Sequence, residues 1–288
     1  MKPRTSIPLF LILLTAFVAA AAAHDLYLVV EDHDVPAHAE MTVALYNGTF
    51  STSENTIDRE RMTDVTIVDG RGREVHPAAD RWREEGNATL LDVETGAPGT
   101  YLLGVSTRAR MIELSAEEFE DYLEHDGVLD VLEARRAARE GGESAERSAR
   151  TGGGPVRERY AKHVKTLLDV GGEATDTFSH RLGYPVEIVP LENPALLEVG
   201  RELPVLVLAD GEPLADQLVY AGYAAHDAHQ GEHDHRNAVE TRTDAEGVAR
   251  IGLDHPGRWY IRLIHMVPSG EEGVDYVSEW ATLTFDVD

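Results

Sequence analysis

Cysteine is absent from the chain. Its absence excludes disulfides, thiolate metal sites, a cysteine nucleophile and a lipid-modified N-terminal cysteine. Basic residues are scarce: 26 Lys and Arg stand against 52 Asp and Glu, a formal net charge of −26. Such a surface repels nucleic acid and anionic lipid and draws cations over long range. Adaptation to salt, or solubility alone, accounts for the same charge. Apolar runs of the roughly 20 residues that a membrane span needs are also missing. The nearest is residues 7–20, behind Lys2 and Arg4 and ahead of Ala21 and Ala23. That is the layout of a secretory signal peptide cut after Ala23. Cleavage there leaves 265 residues (288 − 23) that begin at His24. The expectation is a periplasmic protein that is not integral to the membrane once its leader is gone.

Familiar enzyme motifs are lacking too. There is no GxSxG, no HExxH and no glycine loop followed by Lys-Ser or Lys-Thr. Carboxylates are so abundant that no catalytic pair stands out. A binding protein is expected rather than an enzyme.

What is present divides the chain into a leader (1–23) and three further pieces. Residues 24–112 carry short apolar or alternating runs ("DLYLVV", "MTVALY", "DVTIVD", "GTYLLGVS") separated by turn residues, the pattern of a small β-sandwich. Residues 113–183 read as a helical insert. "SAEEFEDYLEHDGVLDVLEARRAARE" opens with a capping box, Ser115 and Glu118, and Gly127 is expected to break or kink it. A glycine-rich stretch near 140–155 reads as a flexible loop. Residues 156–168 ("VRERYAKHVKTLL") read as a second helix, because Val156, Tyr160, Val164, Leu167 and Leu168 recur at helical spacing. Residues 184–288 are again β ("PVLVLADGEPLADQLVYAGY", "GRWYIRLIHMV", "WATLTFDV") and read as a second sandwich. The fold expected is mainly β, two immunoglobulin-like sandwich regions joined by a two-helix segment.

Histidines carry the candidate chemistry. A free N-terminal histidine offers its α-amine, with a pKa near 8, and a ring nitrogen to one ion. With a second imidazole it makes a histidine brace, suited to Cu(II) and to Ni(II). His265 alternates in phase with Trp259, Ile261 and Leu263, and His163 falls on the buried stripe of the expected second helix. His24, His163 and His265 are therefore expected on inward faces and are the candidate ligands of one site. "AHDAHQGEHDHR" holds His226, His229, His233 and His235 among acidic residues, a tract that captures Ni, Zn or Cu loosely. His255 belongs to a turn, and His33, His38, His76, His125 and His180 have no spacing that recommends them.

"MIELSAEEFEDYLEHDGVLDVLEARR", "RERYAKHVKTLLDVGG", "LGYPVEIVPLENP", "DGEPLADQLVYAGY", "TRTDAEGVARIGLDHPGRWYIRLIHMV" and "DYVSEWATLTFDV" follow one another as in a bacterial family catalogued as a domain of unknown function. The chain resembles that family over nearly its whole mature length. By gene neighbourhood the family is linked to the periplasmic component of cobalt/nickel-type ABC transport systems. The resemblance implies export, β-sandwich regions around a helical insert, and handling of nickel or cobalt. The acidic histidine loop and His163 depart from the plainest family pattern.

The expected function is binding of a divalent transition metal, nickel or cobalt, and its delivery to a membrane importer. His24, His265 and His163 are the expected ligands, and the 226–235 loop gathers ions. Copper is the alternative metal, for storage, delivery or oxidative chemistry on a histidine brace. A β-sandwich interaction module without metal is the further alternative.

Overall fold

The structure, a computed structural model, describes residues 24–140, 154–224 and 239–288. The expected leader, most of the glycine-rich stretch and His226, His229, His233 and His235 lie outside the described residues. In chain order the N-terminal strands are β1 (Asp25–Val29), β2 (Asp34–Val35), β3 (Glu40–Gly48), β4 (Ser53–Asn55), β5 (Met62–Val68), β6 (Glu74–Val75), β7 (Trp82–Glu85), β8 (Ala88–Glu94), β9 (Gly99–Thr107) and β10 (Arg110–Leu114). Helices α1 (Ala116–His125) and α2 (Leu129–Glu140) follow. The later strands are β11 (Val156–Val170), β12 (Val186–Pro190), β13 (Glu202–Ala209), β14 (Glu212–Pro213), β15 (Leu218–Tyr223), β16 (Val239–Arg242), β17 (Val248–Gly252), β18 (Gly257–Pro268) and β19 (Tyr276–Val287).

Among the described residues these strands form three sheets, so the fold is mainly β with a helical insert. A ten-stranded sheet runs β16-β15-β18-β19-β11-β9-β5-β6, with β10 and β2 also paired to β11. A five-stranded sheet (β1-β3-β8-β7 with β4) packs on one face of it. A four-stranded sheet (β12-β13-β14 with β17) packs on the other. Alternation along the strands decides which core each residue joins. Leu103 and Leu168 enter the core under the five-stranded sheet, with Leu26, Leu28, Val43 and Leu45. Their neighbours Leu102 and Leu167 enter the opposite core, with Val205, Val207, Trp259 and Leu283. Each such side chain contributes roughly 1.5–3 kcal/mol on burial.

The capping box forms: the Ser115 hydroxyl accepts from the Glu118 amide, and the Glu118 carboxylate accepts from the Ser115 amide at 2.8 Å. Gly127 separates α1 from α2 at φ +75°. A Cβ there would meet the Tyr220 ring at 2.7 Å, so glycine serves both the turn and the close approach. Phe119, Leu123 and Leu132 seat the two helices on Ile264, Met266 and Trp280 of the ten-stranded sheet.

One expectation is corrected. Residues 156–168 are not a helix but most of β11, which pairs in parallel with β19 and antiparallel with β9 and β10. A strand covered on both faces loses the polar-apolar alternation that identifies strands. Its charges mimic a solvated helix face but find partners: Arg157 with Glu113, Arg159 with Glu271 and Lys165 with Glu187. The ten-stranded sheet takes β5, β6 and β9 from before the helices and β15, β16, β18 and β19 from after them.

Candidate metal centres and the buried charges beside them

His24 stands immediately ahead of β1, and β1 is fastened along its length. Thr282 and Thr284 of β19 donate their hydroxyls to the carbonyls of Leu26 and Leu28 at 2.8 and 2.7 Å. Lys162 Nζ donates to the His24 carbonyl. Asp25, 6 % exposed, takes the Tyr27 hydroxyl at 3.1 Å and pairs with Arg262 at 3.4 Å. The main chain of His24 is thereby held in place by buried groups.

The His24 ring meets Glu54 of β4, with Nε2 3.0 Å from Oε2. Its side chain keeps 26 % of its surface open to solvent. When the neutral ring donates its Nε2–H to Glu54, Nδ1 keeps the lone pair. Nδ1 is also the nitrogen that closes a six-membered chelate with the residue's own α-amine. A carboxylate behind a ligating imidazole fixes the tautomer in this way and raises the basicity of the ring.

His163 and His265 lie on the other face of the ten-stranded sheet. His163, 3 % exposed, holds Glu279 through Nε2 at 2.8 Å and Ser106 through Nδ1 at 2.9 Å. Both of its nitrogens are occupied, so it braces β9, β11 and β19 against one another. His265 is half-buried opposite Glu279 in the β18·β19 register, and its Nδ1 lies 3.1 Å from Gln217 Oε1. Burial lowers its pKa, against the opposing pull of Asp210 and Glu279. The expected convergence of His24, His163 and His265 on one ion therefore does not form. Lys162, bonded at the His24 carbonyl, and His163 are consecutive residues of one strand and point to opposite faces. Among the described residues no three His, Asp or Glu side chains draw together closely enough to hold a metal.

Beside His24, between β1 and the helices, the structure buries several charges that the sequence does not single out. Glu158 accepts from the Tyr122 hydroxyl at 3.1 Å and from Ser278, and burial pushes its carboxyl up to about 7. Burial, then the charge of Asp25, pushes Asp126 up to about 8. Burial brings Lys162 down to about 8, while its ammonium lies 4.7 Å from the Trp280 ring centroid. These groups sit at the inner end of the element that positions His24, so their ionisation bears on how firmly β1 is held.

Nothing in the spelling of "SENT" announces Glu54 as a partner of His24, because the contact depends on β4 folding onto β3. His33 has a local signal in "VVEDHDVP", a histidine between acids just past an apolar strand.

These features define a mainly β scaffold, with helices inserted, that presents a half-buried histidine at the head of its first strand. The chain belongs to the family described as Domain of unknown function (DUF4198), whose profile matches residues 21–267. A search of curated proteins finds no match. Solved structures resembling it include the D0-D1 domain of intimin, at 10 % identity and TM-score 0.20 over 91 % of this chain and 98 % of that one. Trypsin-activated alpha-2-macroglobulin from Escherichia coli matches at 8 % identity and TM-score 0.24, over 94 % of this chain but 16 % of the other. Scores this low bear on neither fold nor function. No helix among the described residues is long and apolar enough to cross a membrane.

Proposed function

We propose that the protein is a periplasmic carrier of a divalent transition metal, nickel or cobalt, which it passes to a membrane importer. Removal of the leader after Ala23 frees the amine of His24, and amine and Nδ1 together grip the ion. The single observation behind this reading is the Glu54 carboxylate at 3.0 Å from Nε2, which leaves Nδ1 as the donor. Fixed by the Lys162 and threonine contacts, the residue is preorganised, so little freedom is lost on binding. His163 and His265 stand outside this centre. The 226–235 histidines collect ions and raise their local concentration. The similarity of the chain to a family linked to cobalt and nickel import supports the choice of cargo.

The donor pair also favours copper, because Cu(II) leads the affinity order for nitrogen ligands. Copper storage or delivery is the second reading. Growth of a deletion strain separates the two. Loss of growth under nickel or cobalt limitation, restored by those salts, supports the first; sensitivity to copper alone supports the second. The N-terminal mass of the exported protein tests the processing step. A first residue other than His24 removes the chelate.

A further inference from the structure

The ten-stranded sheet has a fork. β11 pairs with β19 as far as Thr166, then exchanges that neighbour for β2, where Asp169 and Val170 pair with Asp34 and Val35. The end of β19 diverges from β2 there, and the space between them is a cavity of about 400 Å³. This lies within the roughly 300–1,000 Å³ range of small-ligand sites. Val35, Leu167 and Phe285 give it apolar walls, and Asp34, Asp169, Asp286 and Asp288 give it four carboxylates.

His33 lines the same cavity and is 5 % exposed, yet neither of its ring nitrogens has a hydrogen-bond partner. The buried Oδ1 of Asp169 has none either. Buried polar atoms left without partners are uncommon and costly, about 1–3 kcal/mol each. Burial, then Arg258, brings His33 down to about 4, so its ring is neutral and offers a lone pair. Asp286 is pushed up to about 6 by burial and then by Asp288, and Asp34 is raised by burial and then by Asp169. These carboxylates repel one another, Arg258 offsets part of that charge at Asp286, and a further positive charge among them would be favourable. Arg258 does not line the cavity; its Nη1 donates to the Val30 carbonyl at 3.2 Å.

We propose that this cavity binds a small organic cation, an ammonium head on a short apolar body. The head donates to the unpartnered acceptors of His33 and Asp169, the body lies on Leu167 and Phe285, and the carboxylates at the rim draw the charge in. A bare metal ion fits less well. The walls are apolar, and among the described residues no three His or acidic side chains converge to coordinating distance.

Calorimetry on the leader-free chain tests this with phenethylammonium and with phenethyl alcohol, its uncharged counterpart. One site is expected, with the ammonium bound at least ten-fold more tightly than the alcohol. His33→Leu and Asp169→Asn are each expected to weaken it ten-fold or more. Asp286→Asn removes a repelled charge near the rim, keeps the fold and still weakens ammonium binding, should the interior variants misfold. No ammonium binding, equal binding of the alcohol, or indifference to these substitutions overturns the proposal. Stoichiometric Ni(II) binding that the same substitutions abolish also overturns it, by making the occupant a metal. One residue added ahead of His24 leaves ammonium binding unchanged, so this site and the His24 centre fail or stand separately.

Discussion

Replacing Asp126 by asparagine removes an ionisable group from the buried charges behind β1 while preserving its shape. Asp126 is raised from 3.8 to about 8 by burial and by Asp25. Between about pH 4 and pH 8 the native chain holds a proton here that the unfolded chain has released. Stability therefore falls as pH rises through that window. At roughly 1.4 kcal/mol per unit the ceiling is about 6 kcal/mol. Relaxation and water penetration reduce what a buried carboxylate costs in a real protein. Asp126→Asn is therefore expected to gain about 1–3 kcal/mol at pH 8 and to change little at pH 4. Urea midpoints at pH 4, 6 and 8 measure this directly, with an unchanged slope confirming that only stability moved. Glu158, raised to about 7, adds to the wild-type slope and survives in the variant, so the slope flattens without vanishing. Lys162, lowered to about 8, acts oppositely above that pH, where stability rises with pH until the ordinary lysine value is reached. An identical pH slope in variant and wild type, or a variant less stable at pH 8, would refute the picture of a proton held at Asp126.

Other substitutions probe other parts of the account. Glu54→Gln should weaken Ni(II) binding about 10- to 100-fold by isothermal titration, the usual cost of losing the carboxylate behind a ligating imidazole. Glu54 is about half exposed, so the melting temperature should move little. Lys165→Met breaks the Lys165–Glu187 pair, each side chain 2 % exposed, and should cost about 3–5 kcal/mol in urea denaturation. Adding Glu187→Gln should recover part of that loss, since the stranded charge goes with it. Metal affinity at the His24 centre should drop steeply below about pH 6, because amine and imidazole must shed protons to coordinate. Affinity that is level from pH 7 to pH 5 would point to carboxylate ligands instead.

The parts of the fold that could be read from the sequence were those where local chemistry and tertiary packing agree. Helix α1 announced itself through Ser115 and Glu118, and the break at Gly127 through the residue itself. The N-terminal strands showed in their turn residues and short apolar runs. β11 did not, because a strand buried on both faces keeps its charged residues only through partners contributed by β10, β12 and the loop before β19. Helical spacing of Tyr160, Val164 and Leu168 was a coincidence, since residues four apart also share one face of a strand. The site was legible only as residue types. His24, His163 and His265 each face inward or lie partly buried, but a sheet separates the first from the others. Strand alternation alone, with β11 read correctly, would have placed His163 opposite Lys162. Glu54, Asp126 and His33 depend on contacts across 30 or more residues, or on a fork between strands, that no local pattern records.

The most direct measurement compares Ni(II) affinity in two chains, one beginning at His24 and one carrying a single alanine ahead of it, both without residues 225–238. If processing creates the grip, the first chain binds one ion and the second binds it at least a hundred-fold more weakly, with the fold intact in both. Equal affinity in the two chains would contradict the account, because the amine freed ahead of His24 would then have no part in holding the ion.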